Sequence, residues 1–193
     1  MKILVVTDMG NNRASDGLRM RLLADSAILP SGKPFFVPDF ADHFTCQPAL
    51  CVRVDRLGKH IARRYAHRYY NSVAACGLVM AHNLADADLL DAADARNTSF
   101  DGALLLGKLV PYDGATDITV NLTTETGSCV TCSWPELPDY VDGVITELSR
   151  YMTLKMGDLI VLPAHENEAV ELHVGDELRA TVSDAVSLKT RIR

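Results

Sequence analysis

No run of this sequence approaches the roughly 20 consecutive apolar residues that a membrane-spanning helix needs. The opening MKILVVTDMGNN turns polar too soon for a secretory leader, so the protein reads as cytoplasmic and without a membrane partner. Positive charge is also scarce. Nineteen Lys and Arg against 25 Asp and Glu leave a formal −6, which argues against nucleic acid as a partner, because phosphate binding needs clustered cations. No glycine-rich phosphate loop occurs, since Gly10-Asn11-Asn12 lacks the later glycines and the lysine. There is no Gly-x-Ser-x-Gly nucleophile elbow and no calcium-loop spacing. Cysteines number five, an odd count without scaffold spacing, which fits a reducing compartment. What is present is 193 residues, 48% hydrophobic and 23% charged, with no repeat, linker or low-complexity tract. That composition predicts one soluble domain over residues 1–193.

The pattern along the chain is mostly that of strands. Residues 1–6 read as a first strand, 8–16 as a polar turn, and 17–24 as either a short helix or a strand. Pro30, Gly32, Pro34 and Pro38 break residues 25–42 into turns and short extended pieces. Asp42 and His43 read as a polar turn into a strand over 50–55, with a helix following near 57–70. Residues 73–81 are almost uniformly apolar, the mark of a strand buried on both faces. A helix is expected over 84–95 and a strand over 100–110. Residues 119–124 alternate ahead of the hairpin turn Glu125-Thr126-Gly127-Ser128. Apolar residues at helical spacing then give an amphipathic helix over 138–152, with Pro138 in its first turn. Strands follow near 159–163, 169–174 and 176–182. Strands outnumber helices without strict alternation, which favours an α+β class over a doubly wound sheet.

Four constellations invite chemistry and each has a plainer reading. Cys129 and Cys132 have the spacing of a zinc half-site or redox dithiol, but residues three apart on a strand face opposite ways. Arg56, Lys59 and Arg63 would share a helix face that could meet an anionic partner or could be merely solvated. His60 and His67 lie seven apart on the same expected helix, whereas metal pairs sit three or four apart. Asp86, Asp88, Asp91 and Asp94 decorate an alanine-rich segment that needs no cation.

Four phrases carry more weight together. DSAILPSGKPFFVPDF (25–40), CVRVDRLGKHIARRYAHRYYNSV (51–73), SFDGALLLGKLVP (99–111), and YMTLKMGDLIVLP with VGDELRATV (151–182) occur in an order and spacing that resembles the fumarylacetoacetate hydrolase superfamily. The resemblance implies a mostly β, mixed-sheet β-roll with a few peripheral helices, usually a homodimer. It also implies Mg²⁺ or Mn²⁺ held by carboxylates, acting as a Lewis acid on a keto acid.

With Phe40 and Val52-Arg53-Val54 fixing the register, the family's paired metal-binding glutamates fall on Gln47 and Ala49, and the histidine ahead of them on Thr45. A third acid falls on Leu78 and the family lysine near Thr98. The Gly-Thr-Pro turn becomes Leu162-Pro163-Ala164, and the opening Arg-Asn-Tyr becomes Asp8-Met9-Gly10. Between Asp42 and Asp55 there is no acid at all. The expectation is therefore a divergent member with no metal cofactor and no confident catalytic residue. It would serve as a non-catalytic scaffold, a binding module or the partner of an active paralogue. The alternative is an active keto-acid hydrolase, isomerase or decarboxylase with a rebuilt site drawing on His43, Cys46, His82 or Asp101. In that case Cys46 would need a neighbouring base or cation. Cys46 and His82 are the weak catalytic candidates, and their convergence or separation decides that form of the reading.

Overall fold

The computed structural model describes residues 1–8, 18–84, 95–164 and 168–193. The expected polar turn over 8–16, the Asp8-Met9-Gly10 correspondence, the helix over 84–95 and its four aspartates lie wholly or almost wholly outside the described residues.

Seven strands form the path of a large mixed sheet. In chain order they are β1 (Ile3–Asp8), β2 (Arg19–Leu23), β3 (Ile28–Pro30), β4 (Ala41–Val54), β5 (Tyr70–Leu84), β6 (Leu104–Leu106) and, later, β10 (Leu159–Pro163). Their spatial order is β2-β1-β10-β4-β5-β6-β3. The pairs β1/β10 and β3/β6 are parallel, and the others along this path are antiparallel. Short β7 (Val110–Pro111) adds to β5, and β11 (Val170–Glu171) adds to β4.

The ends of this path are tied together. β2 and β3 lie at opposite ends, yet only residues 24–27, including a 3₁₀ turn at Asp25–Ala27, connect them. Five Cα steps span at most about 18 Å. Seven flat strands would separate their outer members by about 29 Å. The sheet must therefore curl into a roll, in agreement with the expected β-roll.

Inside the roll, small and branched side chains fill the space: Ile3, Val5, Ala49, Cys51, Ala74, Cys76, Leu78, Leu104 and Val161 are all buried. Outside it lies a second, antiparallel sheet of order β13-β12-β8-β9, made of β8 (Ile118–Thr124), β9 (Cys129–Trp134), β12 (Glu177–Val182) and β13 (Ala185–Arg191). The main core lies between the two sheets and under α2 (Leu137–Tyr151), whose Val141, Val144, Ile145 and Leu148 are fully buried. Strand β5 faces the roll interior on one side and this core on the other, which accounts for its uniformly apolar run.

Several expectations need correction. Within 17–24, where the sequence leaves helix and strand both open, Arg19–Leu23 is strand β2. Asp42 and His43 are already in β4, which runs fourteen residues. The helix expected near 57–70 shrinks to the four-residue α1 (Arg63–Ala66). Gly58 exchanges both backbone hydrogen bonds with Leu154 (2.9 and 2.8 Å), and His60 adopts a positive φ of 53°. These contacts with the end of α2 outcompete local helix formation. Arg56, Lys59 and Arg63 therefore share no helix face, and His60 and His67 share no helix. The strand expected over 100–110 breaks into β6 and β7 at Gly107, where a Cβ would lie 2.3 Å from both the Ala75 carbonyl oxygen and Ser187 Oγ. Among the described residues, no helix is long and apolar enough to cross a membrane.

Candidate functional site at the mouth of the roll

Proline in a central strand is unusual because it cannot donate to a ladder. Pro48 sits in β4 between β5 and the β10/β11 side. Its carbonyl accepts a hydrogen bond from the Ala164 N–H (2.9 Å) on the β10 side. In an antiparallel strand the N–H and C=O of one residue point the same way. The missing N–H therefore faces the Ala164 carbonyl, just past the ladder of β10 that ends at Ala49, and that carbonyl takes its hydrogen bond from the Gln47 side chain instead. Gln47 thus stands on β4 between the end of β10 and the start of β11.

The β4/β5 register sets the occupants of that end. Thr45 pairs with Met80, Gln47 with Leu78 and Ala49 with Cys76. Gln47, Ala49 and Leu78, matched to metal-ligand positions by the resemblance, are thus a cross-strand pair and its neighbour two residues along, on the inner face. The fold brings them together. Gln47 is 4% exposed, and its Nε2 donates to the Ala164 carbonyl at 2.7 Å, closing the position assigned to the Gly-Thr-Pro turn. Ala49 and Leu78 are buried in the roll core. Thr98 is buried just after a 3₁₀ turn (Ala95–Asn97) that packs on β5.

One amide, one methyl and one isobutyl group do not fit a hard dication, which needs several oxygen donors and carboxylate charge. Among the described residues, no group of three His, Cys, Asp or Glu side chains is placed to hold a metal ion.

Further out, the inner face becomes polar. His43 stands opposite His82, with ring centroids 4.6 Å apart and planes within 10°. Thr45 Oγ1 lies 2.8 Å from His82 Nε2. Partial burial, and then the neighbouring His43, lower the His82 pKa and favour the neutral imidazole. Position 45, where the family's histidine would stand, thus holds a hydroxyl that engages a histidine from the next strand.

Cys46 is on the other side of the sheet. Alternation along β4 puts it with Phe44, Leu50 and Val52 in the core between the sheets, while His43, Thr45 and Gln47 face the roll. Cys46 and His82 therefore lie on opposite faces and do not converge. Burial pushes the Cys46 thiol up to about 12, which keeps it un-ionised at neutral pH. Asp101 is exposed in the turn before β6. On β9, Cys129 is exposed while Cys132 is buried and its thiol donates to Glu168 Oε2 at 3.1 Å, so the two sulfurs diverge. Sequence reasoning passed over Thr45 as a partner for His82, because the contact depends on the hairpin register.

With that geometry in place, the comparisons are specific. The family model described as fumarylacetoacetate (FAA) hydrolase C-terminal matches residues 11–193. The chain belongs to the fumarylacetoacetate hydrolase family. Among solved structures, it is similar to 5-carboxymethyl-2-hydroxymuconate delta-isomerase from Mycobacterium smegmatis at 18% identity and a TM-score of 0.81. That match covers 99% of this chain and 78% of the other. It is similar also to 2-hydroxyhepta-2,4-diene-1,7-dioate isomerase from Mycobacterium marinum at 19% identity and a TM-score of 0.79, covering 99% and 73%. Identities this low carry the fold alone. No curated protein matches. This member of the fumarylacetoacetate hydrolase family thus has the family's roll.

Proposed function

We propose that this chain is a family member without the family's metal-dependent chemistry. It serves as a non-catalytic scaffold or binding module that pairs with a second copy of itself or with an active paralogue. One observation carries the reading. Gln47, Ala49 and Leu78 meet at one place on the inner face, and together they offer a committed amide and two hydrocarbon groups. Packing replaces ligation there. Uncharged side chains are also what a closed, apolar roll favours once no cation balances buried acids. Titration calorimetry with Mn²⁺ and Mg²⁺, alongside turnover assays on an acylpyruvate and on oxaloacetate, tests the proposal. The expected result is no tight binding and no turnover. Metal-dependent turnover by the pure protein would sink it.

A second reading has one observation in its favour, the pairing of His82 with Thr45 and His43 at the polar rim. A rebuilt hydrolase, isomerase or decarboxylase of a keto acid would use neutral His82 as its base and could not use Cys46. Turnover without added metal that disappears in His82→Gln would favour this reading over the first.

A further inference from the structure

Residues 53–68 hold six of the chain's 19 Lys and Arg (Arg53, Arg56, Lys59, Arg63, Arg64, Arg68) and one of its 25 acids, Asp55. That is a formal +5, which leaves −11 for the rest of a chain whose total is −6. The structure sets Arg56 and Lys59 on either side of Gly58 at the end of α2, while Arg64 and Arg68 meet over the Tyr65 ring. Gly58 pairs with Leu154, the His60 N–H donates to the Ser149 carbonyl (2.9 Å), and the Asp55 N–H donates to the Tyr69 carbonyl (2.7 Å). Residues 58–61 are thereby folded onto the end of α2 and the turn after it, where Lys155 is exposed. Arg63 is paired with Asp139. Arg56, Lys59, Arg64, Arg68 and Lys155 are exposed and form no ion pair among the described residues. Beside Arg56, Lys59 and Lys155, brought together by the Gly58–Leu154 bridge, stand apolar side chains left in solvent: Leu57 at 70%, Met156 at 69% and Tyr151 at 64% exposure. On a solvated loop, cations alone need no explanation; cations interleaved with bare Leu, Met and Tyr do.

We propose that this face docks an acidic segment of a partner protein that also carries apolar side chains. Charge complementarity selects the acid, and Leu57, Tyr151 and Met156 supply the apolar contact. The surrounding −11 disfavours an extended polyanion such as a bilayer or a long nucleic acid. A short acidic segment instead senses the local positive field within a Debye length of about 8–10 Å. The Arg64 and Arg68 guanidinium carbons lie 4.7 and 5.1 Å from the Tyr65 ring centroid, so cations already use the ring that a base would stack on. The site does not depend on the reading of the roll's mouth. It joins β4 to β5 at the other end, about 35 Å along the strand from His43, so either proposal can fail alone.

The test is fluorescence anisotropy of a labelled (Glu-Glu-Leu)₄ peptide against the intact chain at low and moderate salt. Salt-sensitive binding is expected, weakened about tenfold in Arg56→Ser/Lys59→Ser/Lys155→Ser. Leu57→Ser/Met156→Ser should weaken it while the salt dependence stays. All these side chains are exposed, so unchanged thermal midpoints check that the variants are folded. Absence of peptide binding, or binding indifferent to these substitutions, overturns the proposal. So does tighter binding of phosphatidylserine-containing vesicles or of oligo(dT) in parallel assays.

Discussion

Replacing Gln47 by Glu introduces the residue type that the sequence resemblance assigns to this position and puts it in a site built for an amide. The Gln47 side chain is 4% exposed, and its Nε2 donates to the Ala164 carbonyl at 2.7 Å. An ionised carboxylate would set two acceptors against each other and lose the bond, a cost of about 1–3 kcal/mol before charge burial. The introduced carboxyl can restore a donor only by keeping its proton. If its pKa rises by about two from the ordinary 4.3, the linkage is worth about 2.7 kcal/mol. The folded chain then holds a proton that the unfolded chain has released. Stability relative to wild type therefore falls as pH rises from about 4.3 to the raised value, and is level above it. The expected deficit is about 3 kcal/mol at pH 7.5 and about 1 kcal/mol at pH 5. Urea unfolding followed by the fluorescence of Trp134, the single tryptophan, reads it as a midpoint shift of about 1 M at the higher pH. A deficit that is absent, or equal at both pH values, would refute the argument. Mn²⁺ is expected to give no rescue, since Ala49 and Leu78 still offer no donor. Rescue would overturn the account of the donor set.

Other consequences are quicker to test. With a chromogenic thiol reagent at pH 8, Cys129 should react at once, while Cys46 and Cys51, held up to about 12 by burial, and the more strongly raised Cys76 should react only on unfolding. Burial alone would raise the Asp158 carboxyl, but hydrogen bonds from Lys2 and from the Lys155 N–H outweigh it and hold the pKa low. Asp158→Asn should therefore cost about 2 kcal/mol at neutral pH. A lowered folded pKa gives stability that is present above about 3.9 and lost as pH falls through the folded value, so the gap from wild type must narrow in acid. Gly107→Ala should lower stability by about 1–3 kcal/mol in thermal or chemical unfolding, because its Cβ would overlap the Ala75 carbonyl and Ser187 Oγ.

Local pattern revealed what is locally determined. The hairpin of β8 and β9, the buried run of β5 and the stripe of α2 were visible because period two, period 3.6 and turn chemistry act within a few residues. The 57–70 helix failed because Gly58, His60 and Ile61 bond to residues about 90 positions away, at Leu154 and Ser149. No local pattern records such partners. The site shows the same division. That positions 47, 49 and 78 lack acids is written in the sequence, and their adjacency follows from the β4/β5 pairing. That Cys46 and His82 are on opposite faces depends on the pairing register. A slip of one residue would move the whole of β5 to the other face. Nothing short of the folded hairpin supplies that register.

The position of β1 within the roll also sets a delay. Its parallel partner is β10, with Ile3 aligned to Leu159, so β1 cannot complete its pairing until 156 further residues exist. At about 5–20 residues per second, synthesis takes roughly 8–30 s to deliver them. Until then β2 is the one native partner β1 can have, and the side of Ile3, Leu4 and Val5 that β10 covers in the fold has nothing of its own chain to pair with. A ribosome pause ahead of residue 159 should therefore lower soluble yield more than an equal pause after residue 163.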